Sequence, residues 1–424
     1  MQVTLFSYIW LTLILICFIQ KDSKSMFVLL IFSMLFQCNI LLILNGVKIG
    51  PGIITALATL LRFAFRKNIR SESKSKSTSS FSKPIMFCLF ALALSNLVNG
   101  NEFGLNTLML VIYYLLTLVL IKKRVGLNMQ SLEKTIDALI IFVLAIGFLQ
   151  LLTVINFLPM RQVLTSLIYS DVNNISMSFN KNHIAFYSTF MEPSFCAVFL
   201  IGAFFHILMR DIVSVKNIVL LCFVFIAILL TQSSTAYGGF AICMTIYVLT
   251  RAKKRLLFFM IPAFLIGSVL MFTVFYDYLV RIIFSKADTM SYIVRSNLNK
   301  GAFEAFLSNP YWGVGYGGYR ASSLIFSVLS QIGIVGAIAY ILVFFYFLKQ
   351  LLLKKSNYYL KAYSFMVIGA FICLIIAVPD LVSSPFWAAI YIYTAAYNIS
   401  LENQVNESND LVEYYRLIER GSNI

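Results

Sequence analysis

The chain consists of long apolar runs separated by short polar stretches, and the apolar positions within a run do not alternate with polar ones. In lipid every backbone N–H and C=O group must be paired within the protein, which leaves helices or a closed β-barrel. Continuous runs favour helices, because the strands of a membrane barrel alternate apolar and polar positions. The pattern predicts an all-α polytopic membrane protein with about 12–13 transmembrane helices. The predicted spans lie near 3–19, 26–46, 51–65, 85–98, 105–121, 135–157, 187–209, 217–231, 235–250, 256–280, 323–348, 362–378 and 386–398.

Composition supports lipid as the solvent for most of this chain. Of its 424 residues, 60% are hydrophobic and 12% are charged, and the mean hydropathy is +0.87. A soluble domain carries roughly twice that fraction of charged residues. The net charge of +16 does not indicate nucleic-acid binding, because the basic residues form short clusters between apolar runs, which is typical of topology signals.

The basic clusters also predict orientation. Placing residues 66–84 in the cytoplasm leaves most of the 33 Lys and Arg residues on the cytoplasmic side, in agreement with the positive-inside tendency. We therefore expect one multi-spanning membrane domain, 1–398, with a cytoplasmic linker at 66–84 and a cytoplasmic tail at 399–424. Two larger extracytoplasmic loops are expected at 158–186 and 281–322.

The second outer loop carries cations against this bias, which suggests that they serve an anionic ligand. Arg295 and Arg320 could hold a pyrophosphate by paired hydrogen bonds. Four glycines between residues 313 and 318 would let the backbone approach a ligand, and unoccupied N–H groups there could form an anion nest. An interfacial aromatic belt with a Gly-rich turn explains the same pattern equally well. The binding candidates in this loop are Arg281, Lys300, Tyr311, Trp312, Gly313, Gly315, Tyr316 and Tyr319.

The first outer loop offers two candidate general bases. Glu192 lies at the mouth of an apolar span, where an ionisable group is expensive and is a functional candidate by default. It could accept a proton from a sugar hydroxyl or pair with a loop arginine. A helix N-terminal acid, with Pro193 in the first turn, is the structural alternative. His183 is the other candidate, and a solvated loop position explains it as well. The polar interruption at 231–239 could line a cavity or pack helices together.

Two motifs follow each other in the second half of the chain: Pro310-Tyr-Trp-Gly-Val-Gly315 and Gln331-Ile-Gly-Ile-Val-Gly336. They resemble the O-antigen polymerase/ligase (Wzy-like) superfamily, in which a P-x-x-G-V-G loop precedes a span with an E/Q-x-G-x-x-G pattern. Residues 299–304, 190–195 and 230–237 are similar to further marks of the group, and 44–51 has the same character.

The resemblance implies a metal-independent glycosyltransferase that needs no cofactor and uses a polyprenyl-diphosphate-linked glycan as donor. Transfer of the growing chain to a new lipid-linked repeat would release polyprenyl diphosphate. Basic side chains would stabilise the developing charge on the diphosphate, and an acid or a histidine would accept the proton of the attacking hydroxyl. The catalytic candidates are Glu192, Arg295, Arg320 and His183. The sequence contains no nucleotide-binding or metal-binding motif that would suggest otherwise.

The superfamily contains both polymerases and ligases. Its ligases use a histidine in the large second loop, and 281–322 contains none, which favours a polymerase of O antigen, capsule or exopolysaccharide in the bacterial inner membrane. A chain-length regulator and a flippase are candidate partners, and no nucleic acid is expected. The alternatives are an O-antigen ligase and a flippase or transporter for lipid-linked oligosaccharides. A transporter is disfavoured because we find no internal repeat and the charges cluster in loops rather than within spans.

Overall fold

A computed structural model describes most of the chain, and the structural statements below concern only the residues that it describes. These are residues 5–20, 22–37, 39–44, 47–65, 81–100, 104–123, 125–154, 185–210, 214–251, 290–353, 357–378 and 380–421.

The described chain is almost entirely helical, with one short antiparallel hairpin, so the predicted class of an all-α polytopic membrane protein is confirmed. The elements are α1 (Leu5–Ile19), α2 (Ser23–Ser33), β1 (Leu42–Leu44), β2 (Val47–Ile49), α3 (Pro51–Phe65), α4 (Ser82–Val98), α5 (Leu105–Lys122), α6 (Met129–Val154), α7 (Pro193–Leu208), α8 (Val215–Leu230), α9 (Ser234–Arg251), α10 (Met290–Ser308), α11 (Leu324–Leu352), α12 (Tyr358–Ala377) and α13 (Ser384–Gly421).

Twelve of the thirteen predicted spans coincide with a described helix over at least part of their length, and the remaining one, 256–280, lies outside the described residues. Four described helices are long and apolar enough to cross a bilayer alone, within α5, α6, α11 and α12. The other apolar helices are shorter, between 10 and 17 residues by the same measure. Crossing by these short helices requires tilt or a locally thin bilayer.

One predicted span is wrong as a continuous helix. The run 26–46 begins as α2, which ends at Ser33, and its last part forms β1 of the hairpin, where Leu42 pairs with Ile49. Apolar periodicity cannot distinguish a short strand from a helix, and the dipeptide Asn45-Gly46 between the strands is a typical hairpin signal. The structure also contains α10 inside the predicted second outer loop, which the sequence analysis did not anticipate.

Helix α12 lies at the centre of the bundle, where it packs against α7, α9, α11 and α13. Its side chains are apolar on all faces and most of them are buried, as expected of a helix surrounded by other helices. Buried tyrosines in the neighbouring helices find hydroxyl partners. The Tyr114 and Tyr340 hydroxyls are 2.6 Å apart, and those of Tyr346 and Tyr393 are 3.0 Å apart. Each pair removes the cost of an unpaired polar group in the core.

The predicted cytoplasmic residues gather at one end of the bundle. Arg210, after α7, forms ion pairs with Glu133 (Nε to Oε1, 3.0 Å) and Asp137 of α6, and it contacts His206. His206 lies within this network, with its Nε2 atom 2.9 Å from Arg210 Nη2. Arg62 of α3 donates to backbone carbonyl groups at the end of α1, including that of Gln20. A cation is favourable there, because the carbonyl groups of a helix C-terminus lack partners.

Candidate active site at the predicted outer end

The opposite end of the bundle contains a break in helix α11. Gly333 has φ 72° and ψ −166°, so the helix stops and restarts there, nine residues (about 14 Å along the axis) after its first residue. Backbone groups on both sides of the break lose their partners within the helix. Non-helical backbone at such a depth is tolerated only where other protein groups satisfy it.

The loop that carries the P-x-x-G-V-G motif supplies those partners. The N–H groups of Val314 and Gly315 donate to the carbonyl oxygens of Ser330 and Gln331, at 2.8 and 3.0 Å. On the other side of the break, the Ile334 N–H donates to the Pro310 carbonyl oxygen at 2.9 Å. The two sequence motifs are therefore parts of one structure, in which the loop replaces the missing turn of the helix.

Glycine is required on both sides of this contact. A Cβ atom at Gly333 would overlap the Tyr311 carbonyl group, and a Cβ atom at Gly313 would overlap the backbone of Gln331. Both residues also have positive φ, which side chains disfavour. The pattern of glycines in the two motifs thus follows from the close approach of two backbones.

This arrangement contradicts the expectation of a backbone anion nest. Every N–H group from Gly313 to Gly318 already donates to a protein acceptor. Besides the bonds to α11, the Tyr316 N–H donates to Asn96 Oδ1 at 2.8 Å, and the Gly317 N–H donates to Gln331 Oε1 at 3.0 Å. The nest is wrong because the broken helix uses the same donors, so side chains are left to bind an anion here.

Helix α4 and the Gln331 side chain hold the loop in place. Ser95 Oγ lies 2.6 Å from the Trp312 carbonyl oxygen and 2.7 Å from that of Gln331, and Asn99 Nδ2 donates to the Gly313 carbonyl oxygen at 2.9 Å. Gln331 Nε2 donates to the Tyr319 carbonyl oxygen at 2.8 Å. Sequence reasoning missed the α4 residues. Their signal was three polar side chains within five residues at the end of an apolar span.

Helix α10 brings two of the candidate cations to the same loop. Asn299 Oδ1 accepts hydrogen bonds from Ser322 N–H at 2.9 Å and Ser322 Oγ at 3.1 Å, two residues after Arg320. Arg295 lies one turn before Asn299 and hence on the same face of α10. Arg320 is exposed, and so is Lys300, which follows Asn299. The fold thus places Arg295, Lys300 and Arg320 along one junction between helix and loop.

The aromatic candidates differ in exposure. Tyr311 is 68% exposed and could present a ring to a ligand. Trp312 and Tyr316 are half-buried within the loop. Tyr319 is also half-buried, and its ring lies over Gly301 of α10, where a Cβ atom would overlap the hydroxyl group. Tyr319 therefore joins α10 to the loop. The exposure of Tyr311 fits both interpretations of this residue, stacking against a sugar ring and membership of an interfacial aromatic belt.

The turn between α12 and α13 adds a carboxylate near Arg320. Asp380 is solvent-accessible, yet protein crowds it closely enough that desolvation raises the pKa of its carboxyl group above the usual range. The Val382 N–H, which donates to Asp380 Oδ1 at 2.9 Å, and the Arg320 charge lower that pKa in part. Burial, and after it the charge of Asp380, raises the pKa of the Tyr316 hydroxyl group.

The first-loop candidates are divided between described and undescribed residues. Glu192 is the N-cap residue of α7, and Pro193 lies in the first turn. This is the position expected of a helix N-terminal acid, although the Glu192 side chain does not bond to the helix backbone. Its exposed carboxylate accepts a hydrogen bond from Ser194 at 3.2 Å. Among the described residues, Glu192 bonds to Ser194 and not to Arg320. His183 and Arg281 lie outside the described residues.

The two polar stretches beside α7 are connected to each other. The Phe186 N–H donates to the Leu230 carbonyl oxygen at 2.8 Å, which ties the end of the first loop to the interruption between α8 and α9. In that interruption, a Cβ atom at Gly239 would lie 2.9 Å from both Cys373 Sγ and Ile201 Cδ1. This close approach supports the helix-packing interpretation of Gly239.

The fold and the site define a polytopic membrane protein with a cationic junction at one end. Comparison with known families adds that the model described as O-antigen ligase matches residues 218–341, which contain most of α8, all of α9 and α10, and the broken part of α11. No curated protein matches the chain. The family match supports the O-antigen polymerase/ligase superfamily, a role in surface-polysaccharide assembly and a lipid-linked glycan substrate. It does not distinguish a polymerase from a ligase.

Proposed function

We propose that this protein polymerises polyprenyl-diphosphate-linked oligosaccharide repeat units into a surface polysaccharide at the outer face of the bacterial inner membrane. The reaction is a glycosyl transfer in which the donor's diphosphate leaves, without a metal or cofactor. The polymer is an O antigen, a capsule or an exopolysaccharide. A flippase that delivers the repeats and a chain-length regulator are the expected partners.

The position of Arg320 is the observation that carries this proposal. Arg320 follows a loop that is fixed by backbone hydrogen bonds to α11 and by side chains of α4. The Asn299–Ser322 contact brings α10, with Arg295 and Lys300, to the same place. A guanidinium group on a rigid support stabilises charge as it develops, because little reorganisation is needed. In the proposed reaction, the leaving diphosphate is the substrate group on which this negative charge develops.

Polymerase and ligase remain the two candidate activities within the superfamily. The absence of histidine from 281–322 favours a polymerase, since ligases of this group use one there. The matching family model is described as O-antigen ligase, which favours the second candidate. A polymerase mutant accumulates single lipid-linked repeats on the outer face, whereas a ligase mutant accumulates long lipid-linked polymer that never reaches its final acceptor. A flippase mutant would instead trap repeats on the cytoplasmic face.

The decisive experiment compares deletion of the gene with complementation by R320A, R320K and K349A, followed by separation of lipid-linked glycans by size. Lys349 is an exposed cation at the other end of α11 and serves as the charge-matched control. We expect R320A to accumulate single repeats, R320K to recover only part of the polymer because lysine lacks the two-pronged geometry, and K349A to behave as wild type. Wild-type polymer from R320A would remove the main support for the proposal.

A further inference from the structure

We propose that the second half of α10 enters the outer leaflet of the membrane, where Phe303 and Leu307 contact lipid. Helix α10 lies within the predicted second outer loop, where a water-facing surface is expected. The partner is the bilayer itself, through its acyl chains and headgroups. This contact does not depend on the proposed polymerase function, because it would serve a ligase or a flippase equally well.

An exposed apolar stripe runs along the second half of α10. Phe303 is 45% exposed and Leu307 is 60% exposed, and residues four positions apart lie on one face of a helix. Lys300 is also exposed and lies on the same side, three positions before Phe303. The opposite side packs against the protein, where Ala302 is wholly buried. The stripe is therefore a surface that needs a partner outside the described contacts of α10.

Two contacts show that this half of α10 runs beside the first half of α11 and in the same direction. Asn299 Oδ1 accepts a hydrogen bond from the Ser322 N–H, just before α11 begins. The Pro310 carbonyl oxygen accepts one from the Ile334 N–H, just beyond the break. At 1.5 Å per residue the two paths rise by similar amounts, about 16 Å from 299 to 310 and about 18 Å from 322 to 334. Helix α10 thus descends along α11 from its start to its break.

The inner end of α11 gives the depth of that break. Lys349 lies in the last turn of α11, at the predicted cytoplasmic surface. Ile334 precedes it by about 22 Å along the helix axis, whereas the hydrocarbon core is about 30 Å thick. The level of Ile334 is therefore about 8 Å inside the outer edge of the hydrocarbon core. Ser322 lies about 10 Å outside that edge by the same measure.

The stripe on α10 falls across this edge. Leu307 and Phe303 lie about 4 and 10 Å above Pro310, which is level with Ile334. Leu307 is therefore just inside the hydrocarbon core and Phe303 just outside it. Lys300 lies one turn higher, in the headgroup region, where the amine of a lysine can meet phosphate groups while its stem covers apolar surface.

Lipid is favoured over a protein partner because the stripe continues into a surface that faces the bilayer. Ile334, Ile338 and Leu342 of α11 follow each other four positions apart and are 45%, 46% and 46% exposed. The loop after α10 is bonded to the backbone at the start of this row. Its N–H groups from 313 to 318 all donate to protein acceptors, as non-helical backbone at membrane depth requires.

The same depth would fix the height of Arg320. This residue precedes Ser322 by two positions, so it lies in the headgroup region, at the level of a lipid-borne diphosphate. An end of α10 held in lipid would keep the guanidinium group at that level. This consequence rests on the proposed function, whereas the membrane contact does not.

The first test uses photocrosslinking of the full-length protein in nanodiscs of phosphatidylethanolamine and phosphatidylglycerol. Benzoylphenylalanine, which resembles phenylalanine in shape, replaces Phe303 in one variant and Asn297 in the control. Asn297 is exposed on another face of α10 and lies about 12 Å outside the hydrocarbon edge. We expect mass spectrometry to detect phospholipid adducts at position 303 and none above background at position 297.

Two results would overturn the membrane contact. Crosslinks from position 303 to a second copy, or to another part of the same chain, in place of lipid would show that protein covers the stripe. Equal lipid adducts at positions 303 and 297 would contradict the depth.

The second test concerns the height of Arg320 and compares L307E with N297E, which adds the same charge above the membrane. A carboxylate near the membrane edge must move towards water, which lifts the end of α10. We expect the KM for the lipid-linked repeat to rise about fivefold in L307E, which corresponds to about 1 kcal/mol, the cost of a charge near the interface. N297E should keep the wild-type KM. An unchanged KM in L307E would overturn the role in height, and a wild type that joins no repeats would instead remove the polymerase assignment without altering the adducts.

Discussion

The substitution G333A should separate the structural role of the broken helix from the chemistry beside it. Gly333 has φ 72° and ψ −166°, a region that is essentially restricted to glycine and costs other residues about 1–3 kcal/mol. The added Cβ would also overlap the Tyr311 carbonyl group. Relief of that overlap moves the loop away and breaks its bonds to Ile334 and Val335, which contribute together about 1–3 kcal/mol. The broken conformation is therefore destabilised by about 2–6 kcal/mol.

A straight helix is the alternative conformation, and alanine favours it over glycine by about 1 kcal/mol. G333A should therefore close the break in α11 and expel the loop, while the protein remains inserted. We expect loss of polymer, together with stronger labelling by a membrane-impermeant maleimide of a cysteine placed at Val314, which is half-buried in the intact loop. The cysteine variant alone must first retain polymerisation.

The control is G317A. Gly317 also has positive φ, 86°, but a Cβ atom there meets nothing within 4 Å, so only backbone strain of about 1–2 kcal/mol is added. This variant should keep its polymer and the labelling pattern of the unsubstituted loop. Equal behaviour of G333A and G317A would refute the argument that close approach of two backbones explains the glycines of both motifs.

Three further predictions follow from the described contacts. S95A should lower the thermal stability of the purified protein, because two carbonyl groups lose a hydroxyl partner, and unchanged melting would contradict the role given to α4. R210A should lower the free energy of unfolding by about 3–5 kcal/mol, since it leaves buried Asp137 without its main partner. D137N should lower it by less, and chemical denaturation in detergent measures both variants. Because the Asp380 pKa is raised in the folded protein, its ionisation opposes folding as pH rises through that value, so D380N should be at least as stable as wild type at neutral pH.

The sequence predicts most helices because lipid demands continuous apolar runs. Helix α3, Pro51–Phe65, has the predicted bounds, since proline begins it and a basic stretch follows it. Helix α10 was missed because polar residues interrupt its apolar ones and no bilayer constrains its length. The hairpin was missed because a short apolar run fits a strand and a helix equally well.

The site was predictable only in part, for reasons that lie in its contacts. The motif glycines were recognised, but their role was misassigned, because a sequence does not show which acceptors the N–H groups will meet. Ser95, Asn96 and Asn99 contact the loop from more than two hundred positions away in the chain. Asp380 lies in the short turn between α12 and α13, and no sequence motif connects that turn with Arg320.

The interlocking of loop and broken helix bears on how this site could stabilise charge. Occupied N–H groups cannot bind an anion, but they hold the backbone that carries Arg320 in one conformation. A long side chain on a mobile loop would lose entropy on each binding event, whereas a fixed backbone leaves only the side chain itself to be ordered. Gln331 completes this support, since its amide bonds both to Gly317 and to Tyr319, just before Arg320. The motif thus contributes to binding through the position it gives a cation.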